Sequence, residues 1–304
     1  MEGTVKNDMT LIEQELLTGE RALYFLKDAR IKNCVFQAGE SPLKESRNIE
    51  IDESVFRWKY PLWYANQIRV TNTILLETAR SGIWYTNDIE MQNCTIEAPK
   101  TFRRGSRITL TDCQLPLAQE TLWSCREIRL KNVTARGDYF AMNSDCLEIE
   151  NLYLTGNYCF DGAKNIRISN SRLVSKDSFW NTENVEIRDS YIVGEYFGWN
   201  SKNIRLVNCT IESNQGLNYM DHLEMIDCKL IHTDLAFEFV SNADVQIRSH
   251  VDSVKNPTGG RICCDSIGEL IMDPDLIDPS KTEIVADRID TKSDKGEERL
   301  GKLF

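Results

Sequence analysis

The sequence lacks the motifs on which common cofactor and nucleophile chemistry depends. Its ten cysteines include no Cys-x-x-Cys pair, so their spacing gives no support for a structural zinc or iron–sulfur site. It contains neither a glycine-rich phosphate loop nor a Gly-x-Ser-x-Gly nucleophile elbow. Its three histidines, His222, His232 and His250, are too few and too clustered to supply both a base and metal ligands. We therefore expect no metal site and no cofactor.

Two further absences concern partners and location. The chain has no run of about 18 apolar residues, the length that would predict a membrane-spanning helix. Its net charge of -11 and pI near 5.0 leave no basic stripe for nucleic acid or an anionic membrane. Acidic residues interrupt residues 11–17, where a signal peptide would have its apolar core. We expect a cytoplasmic protein that binds neither nucleic acid nor membranes.

What the sequence does have is a repeat. Segment 203–211 reads Asn-Ile-Arg-Leu-Val-Asn-Cys-Thr-Ile, and similar segments recur along most of the chain at steps of 19 to 22 residues. The residues equivalent to Asn208 are Asn33, Glu53, Asn72, Asn93, Asp112, Asn132, Asn151, Asn170, Asp189, Asp227 and Ser249. A unit this short cannot bury its own apolar face, so successive units must stack as a solenoid.

Each repeat contains apolar residues that alternate with polar ones, as in a strand with one buried face. The two predicted inward columns run from Ala29 to Val245 and from Ile31 to Ile247. The residue between them alternates in charge from one coil to the next, which favours correct register more than it indicates a binding surface. Asn and Asp then mark a turn, where stacked amides are expected to form a ladder. Five cysteines follow that turn as small buried groups.

These columns predict an all-β protein, a single-stranded right-handed parallel β-helix of about 12 short coils of about 19 residues. We assign residues 1–20 to an N-terminal cap or short helix and residues 21–275 to the β-helix. Residues 276–304 form a charged C-terminal tail, which loses the repeat and from residue 287 onward is predicted to be mobile.

A third inward column, from Leu23 to Phe239, is followed at each coil by a residue predicted to face outward. That outward column is Tyr24, Lys44, Trp63, Trp84, Arg103, Trp123, Met142, Asp161, Trp180, Trp199, Asn218 and Val240. It contains five of the six tryptophans, more aromatic surface than a soluble protein usually exposes. The segments around it are the least repeat-like parts of each coil, as expected of binding loops on a rigid scaffold.

We interpret the five tryptophans as a binding surface for an extended sugar chain, including an acidic one. Rings would stack on apolar sugar faces and cations would meet carboxylates. The flanking substrate-binding residues are Lys59, Arg80, Lys100, Tyr64 and Tyr85. Alternatively, a chain terminus or another protein covers the aromatic face, and the protein is a non-catalytic assembly or scaffold module. In that case the aromatic face is also a candidate contact of a homo-oligomer.

Acidic residues on the same side allow a catalytic interpretation, as a polysaccharide lyase or glycoside hydrolase. Asp138 and Asp161 lie one coil apart, and coils stack about 4.8 Å apart, so the pair falls within the reach of two-carboxylate sugar hydrolysis. The candidate catalytic set is Glu120, Asp138, Asp161 and Arg103, while Asp177 and Glu195 are further acids of this face. Any outward face of an acidic protein also presents such pairs, which is the structural alternative.

The repeated unit Ile-x-Ile-x-Asn-Cys-x-Ile resembles the coil signature of pectin-lyase-like right-handed parallel β-helices. Segments 19–23 and 256–262 resemble an uncharacterised bacterial family of that superfamily, over nearly the whole chain to about residue 275. Some members of that family carry the label hydrogenase, but the paired Cys-x-x-Cys motifs of a nickel–iron centre are missing here. The superfamily implies polysaccharide lyases, galacturonan hydrolases or pectin esterases, yet their signature residues are not found, so no catalytic residue is carried over.

Overall fold

The computed structural model describes residues 9–294 and is almost entirely β-structure. The chain divides into two compact units, Met1–Phe140 and Ala141–Phe304. Each is built from parallel strands, and about 15 turns of about 19 residues form the solenoid. The predicted fold class is confirmed, although the predicted number of turns, about 12, is somewhat low. Within residues 9–294 no helix is long and apolar enough to cross a membrane.

Most strands are short, because the chain bends at the corners of each coil. The first unit contains β1 Thr10–Glu13, β2 Leu16–Thr18, β3 Lys27–Lys32, β4 Val35–Gln37, β5 Arg47–Asp52, β6 Val55–Phe56, β7 Asn66–Thr71, β8 Ile74–Leu75, β9 Ile83–Trp84, β10 Asn87–Gln92, β11 Thr95–Ile96, β12 Phe102–Arg103, β13 Ser106–Thr111, β14 Gln114–Leu115 and β15 Arg126–Arg136. The second contains β16 Asp145–Gly156, β17 Lys164–Ser169, β18 Arg172–Ser175, β19 Asp177–Ser178, β20 Glu183–Arg188, β21 Tyr191–Gly194, β22 Tyr196–Phe197, β23 Lys202–Val207, β24 Thr210–Ser213, β25 Asp221–Ile231, β26 Ser241–Ile247, β27 His250–Lys255, β28 Gly260–Ile271 and β29 Thr282–Ser293. Glu77–Ala79 and Pro279–Lys281 are short 3-10 helices.

Residues one period apart are neighbours in the stack. Ile68 of β7 lies opposite Ile89 of β10, and both are buried. The turn residues adopt the left-handed backbone that Asn and Asp tolerate, with φ of 49° at Asn72 and 52° at Asn93. Asn93 donates its side-chain amide to Asn72 Oδ1 at 2.7 Å. The inward columns and the amide ladder therefore occur as the repeat predicts.

The alternating charges pair between coils as predicted. In the first unit, Glu50 accepts from Arg30 at 2.8 Å and also lies 3.7 Å from Arg69. In the second unit, Arg205 lies 3.0 Å from Glu224. These pairs are largely exposed, so each contributes at most about 1 kcal/mol. They set the register and do not mark a ligand site.

The N-terminal end differs from the prediction. Strand β1 pairs in parallel with β3, and β2 pairs with β4. Gln14 between β1 and β2 has the left-handed backbone of the other turn residues. Residues 10–18 thus form an additional coil, and the expectation of a short helix there is wrong. Residues 1–8 of the predicted cap lie outside the described residues.

The C-terminal end also departs from prediction, because the register shifts between β25 and β26. Ala243 and Val245 lie opposite Leu223 and Met225, whereas Val245 and Ile247 were expected there. The predicted turn residue Ser249 does not have a left-handed backbone. An irregular 22-residue step between turn residues, from Asp227 to Ser249, is the sequence signal of this shift.

Two members of the predicted outward column, Asn218 and Val240, are buried. Val240 is fully buried, while the neighbouring Phe239, predicted to point inward, is half-buried. The side-chain oxygen of Asn218 accepts the backbone N–H of Glu238 at 2.9 Å. After Trp199 the next rings in contact are therefore Tyr219 and Phe239, each one residue away from the predicted register.

The segment assigned to the charged tail carries a long strand. Strand β29 pairs in parallel with β28 along its length, from Thr282 opposite Gly260 to Ser293 opposite Ile271. Residues 287–293, expected to be mobile, are thus hydrogen-bonded to the solenoid. Composition misled here, because a strand paired along its backbone can be built from charged residues whose side chains remain in water. Residues 295–304 lie outside the described part of the chain.

Candidate functional site

The first unit carries four residues of the predicted outward column as one stack, which we call the first aromatic column: Trp63, Trp84, Arg103 and Trp123. Strands β9 and β12 are parallel, so Trp84 lies opposite Arg103, while the alternate residues point into the core. The Trp63 and Trp84 rings stack with centroids 5.3 Å apart and 8° between planes. The Arg103 guanidinium lies 4.7 Å from the Trp84 ring and 4.9 Å from the Trp123 ring. Both faces of Trp84 are thus covered.

Hydrogen bonds fix these rings in place. The Trp63 indole N–H donates to the Ser81 carbonyl at 2.6 Å, and that of Trp84 donates to the Lys100 carbonyl at 2.8 Å. Because the faces stack along the solenoid, mainly ring edges are left to solvent. A sugar that packs its apolar side on an aromatic face finds no free face at Trp84, contrary to the interpretation drawn from the sequence.

Glu120 ties together the cations beside the first aromatic column. Its carboxylate lies 2.9 Å from Lys100 Nζ and accepts from an Arg103 guanidinium nitrogen at 2.8 Å. Burial alone would raise the pKa of Glu120, but hydrogen bonds and charge from Lys100 and Arg103 outweigh it and lower that pKa below its ordinary value. Glu120 is therefore held as an ionised partner, a poor general acid.

The other predicted residues of this unit lie near the column with different surroundings. Lys59 Nζ lies 3.2 Å from Glu40. Tyr64 is 49% exposed and stacks on Tyr85 with centroids 4.8 Å apart. Arg80 is exposed, and among the described residues no carboxylate lies within 4.0 Å of its side-chain nitrogens.

Asp138, predicted to be catalytic, is exposed and its backbone carbonyl accepts the Glu120 N–H at 2.8 Å. Asp161 belongs to the second unit. The pairing of these two carboxylates in catalysis therefore stays a prediction.

The second unit carries the second aromatic cluster, which consists of Trp180, Tyr196, Trp199 and Tyr219. Trp199 stacks on Tyr219 with centroids 4.7 Å apart. Trp180 is tilted by 33° against Trp199 at 5.9 Å and meets Tyr196 edge to face at 6.4 Å. No position in this cluster carries a stacked guanidinium comparable to Arg103 among the described residues.

Trp180 ends the stacked part of the cluster and differs from Trp84 in two ways. One coil earlier, its column neighbour is Asp161, whose carboxylate accepts from the Asn181 amide at 2.9 Å. Among the described residues no ring stacks in parallel on Trp180 from that coil, although Tyr158 meets Trp180 edge to face with centroids 5.8 Å apart. Its indole N–H is shielded from solvent and has no hydrogen-bond acceptor among the described residues.

Two buried acids adjoin this cluster, Asp177 on β19 and Glu195 just before β22. They are 3% and 4% exposed, and the Glu195 carboxylate lies 3.4 Å from Lys176 Nζ. Burial raises the pKa of Asp177 above its ordinary value; Lys176 opposes this rise and the charge of Glu195 adds to it. The buried Ser178 hydroxyl nearby has no hydrogen-bond partner among the described residues. A buried carboxyl with a raised pKa beside an unsatisfied polar group makes this corner a candidate functional site.

The sequence places Asp177 and Glu195 on the correct face but gives no reason to choose them over Glu120 and Asp138. The signal that distinguishes them is weak. Both lie in segments 175–181 and 194–200, which depart most from the repeat. Their burial depends on how the corner folds over them, which a period-two pattern does not specify.

Comparisons with known proteins give a family but no activity. A family profile described as "Protein of unknown function (DUF3737)" matches residues 10–285. No curated protein matches the chain significantly. Similar solved structures include HetL, a pentapeptide repeat protein from the cyanobacterium Nostoc sp. strain PCC 7120, with 9% identity, coverage of 73% of this chain and 92% of HetL, and a TM-score of 0.22.

Two further solved structures are similar to the same degree. The A-module of mannuronan C-5 epimerase AlgE4 from Azotobacter vinelandii has 7% identity, coverage of 92% of this chain and 86% of its own, and a TM-score of 0.24. PfbA, a surface adhesin of Streptococcus pneumoniae, has 10% identity, coverage of 95% and 75%, and a TM-score of 0.20. Likenesses this weak carry no argument about function.

Proposed function

The chain belongs to the DUF3737 family of proteins of unknown function, and from its own geometry we propose that it is a saccharide-binding β-solenoid whose site is the second aromatic cluster. The observation that carries the proposal is Trp180. Among the described residues only Trp199 stacks on its ring, while Tyr158 and Tyr196 meet it edge to face, and its indole N–H has no acceptor. A ring face and a free donor are what a sugar with one apolar side and peripheral hydroxyls requires.

The acids beside Trp180 add polar recognition. Asp161 lies one coil before Trp180, Asp177 lies opposite Tyr196 in the pairing of β19 with β22, and Glu195 directly precedes Tyr196. Carboxylate oxygens accept hydrogen bonds from sugar hydroxyl groups. The proposal is for binding, because the ion-paired state of Glu120 argues against a lyase or hydrolase centred on Glu120 and Arg103.

The experiment compares Trp180→Ala with Trp84→Ala on a glycan array, followed by calorimetry on any saccharide that binds. Loss of the Trp180 ring should weaken binding by about tenfold or more, the cost of one aromatic contact and one hydrogen bond. Trp84→Ala is the matched control, since its ring faces are already covered, and it should bind nearly as tightly as wild type. No saccharide response in the wild-type protein, or equal losses in both variants, would refute the proposal.

A second candidate function, protein contact, is favoured at the first aromatic column. Its rings and guanidinium are pre-organised, and the adjoining Tyr64 is half exposed. Trp, Tyr and Arg held rigidly are the residue types that dominate protein interfaces. If a second copy of this chain binds there, a Tyr64→Glu, Tyr85→Glu double variant should lower the mass measured by light scattering. An unchanged mass, whether of monomer or oligomer, would exclude self-association through this surface.

The pectin-lyase-like superfamily is also part of this proposal. The coil unit Ile-x-Ile-x-Asn-Cys-x-Ile and the parallel pairing of the strands support it. A cytoplasmic location is likewise proposed from the acidic residues within 11–17 and the buried cysteines, and a bacterial source from the resemblance of segments 19–23 and 256–262. Fractionation of cells that express the native chain would test the location.

A further inference from the structure

A polar groove of ≈560 Å³ lies at a corner of the second unit. Its lining includes Tyr153, Asn170, Arg172, Asp189, Tyr191 and Asn208. It is found at the turn that precedes β18, β21 and β24, whereas the second aromatic cluster follows those strands. The two sites therefore occupy different sides of the same coils, and the groove does not depend on the function proposed for the cluster.

Arg172 is the cation of this groove. It lies opposite Tyr191 in the pairing of β18 and β21, and its guanidinium carbon is 4.8 Å from the Tyr191 ring centroid. Its side chain is exposed, and no carboxylate of the described residues lies within 4.0 Å of its nitrogens. Most other arginines of the strand ladder are paired between coils, as Arg205 is with Glu224. A guanidinium held flat on a ring presents its N–H groups as a fixed fork suited to a carboxylate.

Tyr191 is itself fixed from the other side. Its hydroxyl donates to Glu212 at 2.7 Å, and the second oxygen of Glu212 lies 2.9 Å from His232 Nδ1. The hydrogen bond to Glu212, with burial, raises the pKa of Tyr191, so the hydroxyl keeps its proton. Arg172 thus rests on a ring whose position is set by a hydrogen bond beyond the groove.

Tyr153 supplies an aromatic surface one coil from Arg172. It lies opposite Arg172 in the pairing of β16 with β18 and is 46% exposed. Unlike the tryptophans, it has no stacked ring among the described residues. Coils are spaced about 4.8 Å apart, so a ring-shaped ligand on Tyr153 can place a substituent at Arg172.

The turn residues supply hydrogen bonds along the same groove. The Asn208 side-chain amide donates to Asp189 Oδ1 at 2.6 Å. The side-chain oxygen of Asn208 can then accept a hydrogen bond from a ligand. Asn170 lies one coil earlier in the same column. Amides and a carboxylate beside an aromatic ring suit the hydroxyl groups of a sugar.

We infer that this groove binds an acidic saccharide, with a sugar ring on Tyr153 and the carboxylate of a uronic acid on the Arg172 fork. The ring surface, the unpaired fork and the row of amides are each needed by such a ligand, and they occur together on adjacent coils. Turn residues that only stabilise the solenoid in other coils would here also bind the ligand.

The test is calorimetry with trimers of galacturonic, mannuronic and glucuronic acid, with methyl-esterified galacturonate trimer as the neutral comparison. Arg172→Gln should weaken binding of the acidic trimer about tenfold or more, as expected for a charged bidentate contact. Arg172→Lys should recover little of it, because a point charge lacks the fork. The neutral ester should bind the wild type no better than the acid binds Arg172→Gln.

Lys229→Gln is the matched control. Lys229 is an exposed cation of the same outward column, two coils beyond Tyr191 and outside the groove. The Lys229→Gln and Trp180→Ala variants should both bind the acidic trimer like wild type. Thermal melting should show that each variant is folded. Failure of wild type to bind any of the three acidic trimers would overturn the inference. So would a folded Arg172→Gln that binds normally, or loss of binding on Trp180→Ala alone.

Discussion

The two aromatic surfaces arise from the same column of the repeat but are completed in opposite ways. In the first aromatic column, both faces of Trp84 are covered, the Trp63 and Trp84 indole N–H groups are hydrogen-bonded, and Glu120 is ion-paired with Lys100 and Arg103, although the Arg103 Nε has no hydrogen-bond acceptor among the described residues. In the second unit, Trp180 keeps an unbonded N–H, and Asp177 is buried with a raised pKa. A satisfied surface is rigid and contributes stability, whereas unsatisfied groups are commonly retained where a ligand completes them.

The difference comes from single residues within otherwise equivalent positions. Arg103 occupies the tryptophan position of its coil and closes the faces of its two neighbours. Asp161 occupies the same position in its own coil and so places no ring in parallel on Trp180. An aromatic column in a solenoid is therefore not a ligand site by itself. What matters is whether the adjacent coil covers it.

The largest expected difference between the two aromatic surfaces is in the stability lost when a tryptophan is removed. Trp84→Ala removes a ring stacked on both faces and leaves the Lys100 carbonyl without its donor, so we expect a loss of about 2 to 3 kcal/mol. Trp180→Ala removes a ring with no hydrogen bond and should cost about 1 to 2 kcal/mol. Urea unfolding of both variants measures the difference. Equal losses would mean that Trp84 and Trp180 contribute equally to the free energy of unfolding, contrary to the comparison.

The next effect is the pH dependence of two conservative substitutions. Because the folded protein lowers the pKa of Glu120, its ionised form adds stability at neutral pH, and this contribution is lost as the pH falls through that lowered pKa. Glu120→Gln should therefore lower the free energy of unfolding by about 1 kcal/mol at neutral pH. It should approach wild type in acid.

Asp177 should behave in the opposite way. Its pKa is raised, so ionising it costs stability as the pH rises above the value in the unfolded chain, near 4. Asp177→Asn should be more stable than wild type at neutral pH and lose that advantage in acid. Unfolding curves across pH would contradict the comparison if both substitutions shifted stability in the same direction.

The smallest expected effect concerns two buried hydroxyls. Ser178 in the second unit has no hydrogen-bond partner, so Ser178→Ala should be neutral or stabilise by up to about 1 kcal/mol. Thr86 in the first unit donates to the Leu62 carbonyl and accepts the Ala65 N–H, so Thr86→Val should cost about 1 to 2 kcal/mol. Thermal melting of the pair suffices. A clear destabilisation by Ser178→Ala would show that its hydroxyl is bonded after all.

The sequence predicts the parts of the fold that depend on period alone. Ile68 and Ile89 follow from alternation, and the left-handed turns at Asn72 and Asn93 follow from residue type. The prediction fails from Ser241 onward because β26 pairs with β25 at a step of 20 residues, with Ser241 opposite Asp221, whereas the assigned turn residues Asp227 and Ser249 are 22 residues apart. The additional N-terminal coil is missed because its turn residue is Gln14, a type the turn column does not otherwise use.

The sequence predicts much less of the candidate site. The column position of Trp84 was correct, but alternation does not say whether a ring lies flat against its neighbours or displays its face. The burial of Asp177 depends on the corner between β18 and β19, which no repeat specifies. The sequence does not predict the groove at Arg172, because the asparagines that line it are also the turn residues of the repeat.

The central claim, that of the two aromatic surfaces only the second aromatic cluster binds a saccharide, can be tested by nitrogen-15 NMR of the six indole N–H signals. The protein is titrated with a saccharide whose binding does not depend on Arg172. We expect the Trp180 and Trp199 signals to shift while those of Trp63, Trp84 and Trp123 stay in place. Shifts at Trp63 and Trp84, with Trp180 unmoved, would contradict the account.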